Sequence, residues 1–214
     1  CIRDSNETVD KFHREDFPDT NCIVKGEGNE MWIGTDNAGL WRWNVATGAR
    51  EPVPDPAYGA QPPAITSLLR MPDGTLYIGS FSRGLRKMKD GVFSDVTTGT
   101  DLDACYVWAL SADPQGKIWA GTLGGGLYRI DPSSGETKAF KESDSGLASD
   151  YVLSAMRARD GKMYFGTSYG LTVYDPVTAE MKSYLNKPSE ESPGSQNVNQ
   201  VYEDSRGLVW LATR

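Results

Sequence analysis

The sequence has little of what most enzyme active sites and membrane spans are built from. Its 214 residues include one histidine, His13, and three cysteines. The wholly apolar runs are short, so no segment could form a helix that crosses a bilayer. No GxSxG, HExxH or Cys–His pattern is present. We therefore predict a chain that is not an enzyme, with no metal site and no cofactor.

Positive charge is also scarce. Lysine and arginine number 22 against 29 aspartates and glutamates, which gives a net charge of −7. A nucleic-acid partner is not expected, because such proteins carry a basic stripe that this chain lacks. The cysteines, Cys1, Cys22 and Cys105, have no C-x-x-C spacing and fall at unrelated positions of the repeat described below. This argues against a disulfide framework.

What the sequence does have is one sequence motif in five copies, best seen at Lys117–Asp131. In each copy a short strand carries an aromatic residue, and a glycine usually follows two positions later. These aromatics are Trp32, Tyr77, Trp119, Tyr164 and Trp210, at spacings of 45, 42, 45 and 46 residues. A fixed period of this length indicates a repeat architecture.

Each repeat predicts four short strands, because β-branched and aromatic runs alternate with Gly, Pro, Asp and Ser breaks. The units are approximately 21–56, 64–97, 105–141, 150–185, and 197–214 together with 1–16. One short helical turn is expected at 144–152. A four-stranded sheet cannot bury both faces alone, whereas radial stacking covers each face with the next sheet.

These features predict an all-β fold: a β-propeller of four-stranded antiparallel blades, with residues 1–214 forming one domain. The repeated aromatic would fill the gap between adjacent blades, and the glycine would allow close backbone approach.

The fifth repeat is split between the two ends of the sequence. The chain finishes after two strands at 198–213 and starts with what resembles the other two, at 2–13. Two alternatives stay open: a closed five-bladed ring whose last blade is shared, or a fragment of a larger ring, normally of seven blades. Cys1 falls inside a blade, which favours a boundary within a longer protein over a lipidated first residue.

Two of the copies carry a family resemblance. Ile118–Pro132 and Val201–Thr213 closely resemble the two-component regulator propeller repeat: an Asp-rich turn, Gly-x-x-Trp-x-Gly-Thr, then Gly-Gly-Leu and an aromatic strand ending in Asp-Pro. The other repeats match more loosely. The resemblance implies a periplasmic sensor region of a Bacteroides-like hybrid two-component system. It further implies a parent chain with membrane and kinase parts, and many such regions respond to oligosaccharides.

A ligand would bind at one end of the ring. Strand order places the loops between second and third strands on the same face as the connections between blades, and such varied loops usually bind ligands. Our candidate ligand-binding residues are Phe81, Arg83, Tyr106, Trp108, Tyr151 and Tyr169. Specificity is expected at Leu123 and its counterparts Asn37, Phe81 and Tyr169.

Aromatic faces cover the C–H face of a sugar, and Arg83 would pair with a carboxylate or sulfate. Trp108 and Tyr151 could instead pack between blades, and Arg83 could be a solvated loop residue.

Three functions are therefore considered. The first is an extracytoplasmic sensing module that binds an oligosaccharide. The second is a structural propeller that mediates a homodimer. The third, least favoured, is a propeller lyase or glycosidase whose acid and base come from Asp101, Asp103 and Asp150. The turn carboxylates Asp73, Asp113, Asp160 and Asp204 are explained by turn formation.

Overall fold

The computed structural model describes residues 18–82, 84–185 and 197–213. This part of the chain contains four four-stranded sheets and one two-stranded sheet, all antiparallel, and within each sheet the strands lie in sequence order. The predicted all-β architecture of four-stranded blades is thus confirmed for four blades. The third and fourth strands predicted for the fifth blade, at 2–13, lie outside the described residues.

The strand bounds follow the repeats. Blade one contains β1 (Thr20–Lys25), β2 (Glu30–Thr35), β3 (Leu40–Asn44) and β4 (Arg50–Val53). Blade two contains β5 (Ile65–Arg70), β6 (Leu76–Ser80), β7 (Leu85–Lys89) and β8 (Val92–Val96). Blade three contains β9 (Val107–Ala112), β10 (Ile118–Thr122), β11 (Leu127–Ile130) and β12 (Thr137–Phe140). Blade four contains β13 (Val152–Arg157), β14 (Met163–Thr167), β15 (Gly170–Asp175) and β16 (Glu180–Leu185). Blade five contributes β17 (Val198–Glu203) and β18 (Val209–Thr213).

The first strands of the blades surround a common axis. β1 packs beside β5, β5 beside β9, β9 beside β13, and β13 beside β17. The later strands of each blade lie progressively farther out, since each sheet runs in sequence order from its first strand. This radial stacking is the propeller arrangement, and it leaves a channel between the first strands.

The repeated aromatic fills the gap to the following blade where that blade is present. Trp119 is fully buried, and its ring centroid lies 5.0 Å from Phe165 and 4.7 Å from Tyr174 of blade four. Tyr77 is buried against blade three in the same manner, while Trp32 and Tyr164 are half-buried. Trp210 differs from the expectation: it is 55% exposed, because no blade covers it within the described residues.

The glycine two positions after the aromatic has a steric reason. A Cβ at Gly121 would stand 2.5 Å from Val152 Cγ1, and one at Gly34 would stand 2.5 Å from Ile65 Cγ2. Ile65 and Val152 each begin the first strand of the next blade. Any side chain here would therefore push adjacent blades apart, which ties this glycine to blade packing.

One local prediction was wrong. Residues 144–150 form no helix, Tyr151 forms a β-bridge and Val152 begins β13; the only helix in the described residues is a 3-10 helix at Asp101–Ala104. Thr100 caps it by accepting a hydrogen bond from Leu102 N at 3.3 Å, which is the usual role of threonine at a helix start. No helix in this part of the chain is long and apolar enough to cross a membrane.

Candidate functional site

The loops after the second strands and the connections before the first strands lie together, as strand order requires. In blades one to four the residue that opens the loop donates its N–H to the carbonyl of the residue that precedes the first strand. Examples are Phe81 N to Ala64 O at 2.8 Å and Leu123 N to Tyr106 O at 3.1 Å. We call the surface formed by these loops and connections the loop face.

The loop face carries an unusual concentration of exposed aromatic rings. Phe81 is 51% exposed, Tyr106 43%, Tyr151 54% and Tyr169 50%. Monomeric soluble proteins seldom leave several large aromatics on one surface without a binding role. These four residues are the predicted binding residues whose side chains a ligand can reach on the loop face.

Two of these rings form a stacked pair across a blade boundary. Phe81 belongs to the loop of blade two and Tyr106 precedes the first strand of blade three. Their ring centroids are 4.5 Å apart and their planes differ by 14°. The stack holds both side chains in place, because each ring covers one face of the other, and about half of each residue stays exposed.

Tyr151 occupies the corresponding place at the next blade boundary. It bridges to Leu123 through the backbone. Its ring lies over the backbone of Gly124, where an added Cβ would stand 3.2 Å from Tyr151 Cζ. The backbone of Gly124 is held there because its N–H donates to Asp150 O at 3.1 Å. Leu123, a predicted specificity position, therefore lies directly beside the Tyr151 ring.

Trp108 does not join that surface but enters the channel. It is 37% exposed and lines a channel of about 470 Å³ together with residues from the first strands of all five blades. The alternative that Trp108 and Tyr151 pack between blades is not supported, since both are exposed. Trp108 instead offers an aromatic ring inside the channel.

The position of Trp108 in the repeat identifies residues that the sequence analysis did not select. The second residue of each first strand lines the channel, which gives the set Asn21, Thr66, Trp108, Leu153 and Asn199. Alignment of the five repeats on their first strands would have found this set. The channel wall therefore combines two amides and a hydroxyl with one aromatic ring.

Cys22 also lines the channel. Burial raises the pKa of its thiol to about 12, which outweighs a hydrogen bond with the Gly34 backbone that lowers it. The Cys22 thiol therefore stays neutral at physiological pH. Cys22 and Cys105 are free thiols.

Two of the three carboxylates considered for catalysis, Asp103 and Asp150, hold loops in place. Asp103 accepts hydrogen bonds from Thr98 N at 2.9 Å, Thr98 Oγ1 at 2.8 Å and Gly99 N at 2.9 Å. Burial alone would raise the pKa of Asp103, but these hydrogen bonds lower it below its usual value. Asp150 accepts from Glu142 N at 2.9 Å. Asp103 therefore stays an ionised acceptor that fixes its loop, which does not suit a general acid.

Arg83 lies outside the described residues. Among those that are described, no group of three or more His, Cys, Asp or Glu side chains could hold a metal ion.

A model of a repeat family matches two segments of the chain. The family is the two component regulator propeller, and the matched residues are 101–124 and 192–214. These segments contain Trp119 and Trp210, so the resemblance is confirmed in the third and fifth repeats. No curated protein sequence matches the chain.

Solved structures confirm the propeller fold. One is the extracellular domain assigned to a hybrid two-component system of B. thetaiotaomicron, with a TM-score of 0.74 and 22% identity, covering 91% of this chain and 26% of that one. A second such domain from the same organism has a TM-score of 0.66 and 15% identity, covering 99% and 34%. Virginiamycin B lyase from Staphylococcus aureus also matches, with a TM-score of 0.70 and 15% identity, covering 90% and 62%. The chain therefore spans about a quarter to a third of the length of the two extracellular domains.

Proposed function

We propose that this propeller, two of whose repeats match the two-component regulator propeller, is an extracytoplasmic sensing module that binds oligosaccharides on its loop face. The observation that carries the proposal is the array of exposed rings at Phe81, Tyr106, Tyr151 and Tyr169. The similarity to extracellular domains of two-component systems supports a periplasmic location and a parent protein with membrane and kinase parts. The chain itself would sense, and the rest of the parent would signal.

The chemistry of the face suits a sugar. A pyranose ring has an apolar C–H face that packs on an aromatic ring, while its hydroxyls need donors and acceptors at the edges. The Phe81–Tyr106 stack and Tyr151 supply separate platforms at successive blade boundaries, which suits a chain of sugars better than one ring. The amides of Asn21 and Asn199 add polar groups in the channel.

Binding can be measured by calorimetry and by the melting shift of the chain across a panel of neutral and acidic oligosaccharides. Tyr151→Ala and Tyr169→Ala should each weaken the binding of a positive glycan at least tenfold, since each removes a stacking surface. The matched control is Tyr184→Ala, because Tyr184 is 53% exposed but lies on the outermost strand of blade four.

Two results would contradict the proposed sensing function. A folded chain that binds no member of the panel would contradict direct sensing on this face. Equal loss of binding in all three tyrosine variants would also contradict it, since the effect would not be confined to the loop face.

A structural role as a homodimer is the second candidate. It is favoured by an apolar patch on blade five, where Tyr202 is 57%, Leu208 50% and Trp210 55% exposed. This candidate predicts a mass in sedimentation that rises with concentration and no melting shift with any glycan. Trp210→Ser should then shift the equilibrium towards monomer.

A further inference from the structure

The connections between blades do more than link strands, because two of them place a leucine in the gap beneath them. Leu102, in the connection to blade three, is 0% exposed and lies in the cluster of Leu85, Val107 and Ala120. Leu147, in the connection to blade four, is 3% exposed and lies in the cluster of Leu127, Val152 and Phe165. Both leucines stand five residues before the first strand of the next blade.

The surrounding residues are equivalent in the two cases. Leu85 and Leu127 begin third strands, Val107 and Val152 begin first strands, and Ala120 and Phe165 are the third residues of second strands. The same positions at the boundary of blades one and two are Leu40, Ile65 and Ile78. The architecture therefore predicts a leucine between these three residues.

No leucine is there. The connection of residues 54–63 reads Pro-Asp-Pro-Ala-Tyr-Gly-Ala-Gln-Pro-Pro, and Ala60 stands five residues before β5. Ala60 is exposed. In place of the leucine is a cavity of about 150 Å³, lined by Leu40, Val53, Ile65, Ile78, Phe93 and Pro62, among others. We call it the blade one–two cavity.

The cavity is held open by its roof. Asp55 in the connection pairs with Arg86 of blade two, with Nη2 and Oδ1 2.8 Å apart, and both side chains are about nine-tenths buried. The Arg86 guanidinium also lies 5.5 Å from the ring centroid of Tyr58, a further residue of the roof. The connection is therefore fixed by a buried ion pair and cannot simply collapse onto Ile65 and Ile78.

We propose that the blade one–two cavity is a binding site for a small uncharged apolar molecule of about the size of benzene. An engineered cavity of about this volume, lined by Leu, Ile and Phe side chains, stays free of water and takes up benzene. Water is disfavoured here because the wall offers few polar partners, whereas an apolar molecule restores the contacts that Leu102 and Leu147 make elsewhere. Gly59 and Pro54 are exposed, so the ligand enters along the connection.

The test uses the whole 214-residue chain and benzene as the probe. Amide spectra recorded during a benzene titration should show saturable shifts at one site. Benzene protons should give nuclear Overhauser contacts to the methyl groups of Leu40, Ile65 and Ile78. The chain should also melt at a higher temperature in benzene-saturated buffer.

Two variants define the site. Ile78→Phe fills the cavity with a side chain that blade four already uses at Phe165, and it should abolish the saturable shifts. Leu102→Ala empties the equivalent gap at the next boundary, and it should raise the stoichiometry from one to two. The surface control is Val92→Phe, since Val92 is 69% exposed, and it should leave binding unchanged.

The proposal is overturned if benzene gives no saturable shifts in the native chain. It is also overturned if Ile78→Phe folds but binds as before, or if the Overhauser contacts fall on methyl groups elsewhere. The contacts in the native chain decide the matter if Ile78→Phe does not fold. Failure of glycan binding on the loop face leaves this result untouched, since the two experiments use different probes and different residues.

Discussion

The third and fifth repeats contain the same local motif in different surroundings. Asp113 Oδ2 accepts a hydrogen bond from Trp119 Nε1 at 3.1 Å, and Asp204 Oδ2 accepts one from Trp210 Nε1 at the same distance. In both repeats the other carboxylate oxygen accepts two backbone N–H groups of the turn. The Asp residue six positions before the Trp thus holds the turn and the indole together.

The repeats differ in what surrounds this motif. Asp113 and Trp119 are 1% and 0% exposed, and Asp113 also pairs with Arg129, with Oδ2 and Nη2 2.7 Å apart. Trp210 is 55% exposed. Asp204 pairs with Arg206 of the same turn, with Oδ2 and Nη2 2.8 Å apart. Identical hydrogen bonds therefore stabilise a blade boundary in one repeat and a solvated hairpin in the other.

The two tyrosine repeats lack both residues of the motif. Six positions before Tyr77 and Tyr164 stand Met71 and Ala158, neither of which can accept an indole N–H. Met71 N still donates to Thr75 O at 2.8 Å, so the backbone turn is the same. In the third repeat the aspartate supplies the acceptor that the buried Trp119 N–H would otherwise lack, whereas Trp32 of the first repeat, which has Gly26 six positions before it, is only half-buried.

The largest expected difference comes from removing the indoles. Trp119→Ala should lower the free energy of unfolding by about 3–5 kcal/mol, because it opens a large cavity against Phe165 and Tyr174. Trp210→Ala should lower it by less than about 1 kcal/mol, since little burial is lost. Urea unfolding of both variants measures the contrast. Equal losses would show that Trp210 is covered as deeply as Trp119.

The carboxylates should show the next largest difference. Asp113→Ala leaves the Trp119 N–H and the Arg129 guanidinium without their acceptor, at a cost of about 2–3 kcal/mol. Asp204→Ala should cost clearly less than Asp113→Ala, because water replaces its bonds. Asp113→Asn keeps an acceptor and is the control: it should recover part of the loss. A double-mutant cycle of Asp113→Ala with Arg129→Ala should give a coupling that the Asp204–Arg206 pair lacks.

The glycine two positions after the repeated aromatic residue can be tested by a substitution that adds a side chain. Gly121→Ala should destabilise by about 1–3 kcal/mol, because its Cβ would meet Val152 of blade four at 2.5 Å. Ala212 is the fifth repeat's natural counterpart, and Ala212→Gly should cost only about 0.5–1 kcal/mol through backbone entropy. Thermal unfolding compares them. If Gly121→Ala proves neutral, the steric account of the glycine fails.

The smallest expected effect is a loss of stability at low pH, which depends on the pKa of Asp204. Hydrogen bonds from Arg206 and then from Trp210 lower the pKa of Asp204 to about 2. A carboxyl group with a lowered pKa stabilises the fold fully above its unfolded value of about 4 and loses that contribution as pH falls towards 2. Carbon NMR of the Asp204 carboxyl should show titration near 2, moving towards 4 in Arg206→Ala. If the pKa of Asp204 is unchanged in Arg206→Ala, the hydrogen bond from Arg206 is not its cause.

Much of the fold could be predicted because the residues that specify each turn lie close together in the sequence. Every hairpin turn carries its glycine or aspartate in sequence, and a 42- to 46-residue period implies sheets that cover one another. The loop face could also be predicted, since strand order alone puts Phe81 on the same face as the connection to blade three. The helix at Asp101–Ala104 was missed because its single turn depends on the Thr100 cap and on burial of Leu102, neither of which leaves a periodic signal.

The sequence by itself determined the turns and the Asp–Trp hydrogen bonds, because each involves residues at most six positions apart, and it determined the repeat through a fixed period along the chain. Only the tertiary structure decided that Trp119 is buried while Trp210 is exposed, since burial depends on whether another blade lies against the sheet. It also decided that Trp108 enters the channel, that Phe81 stacks on Tyr106, and that a cavity lies where Leu102 and Leu147 have no counterpart. These features arise between blades, where residues about forty positions apart meet, and no local pattern records the space between them.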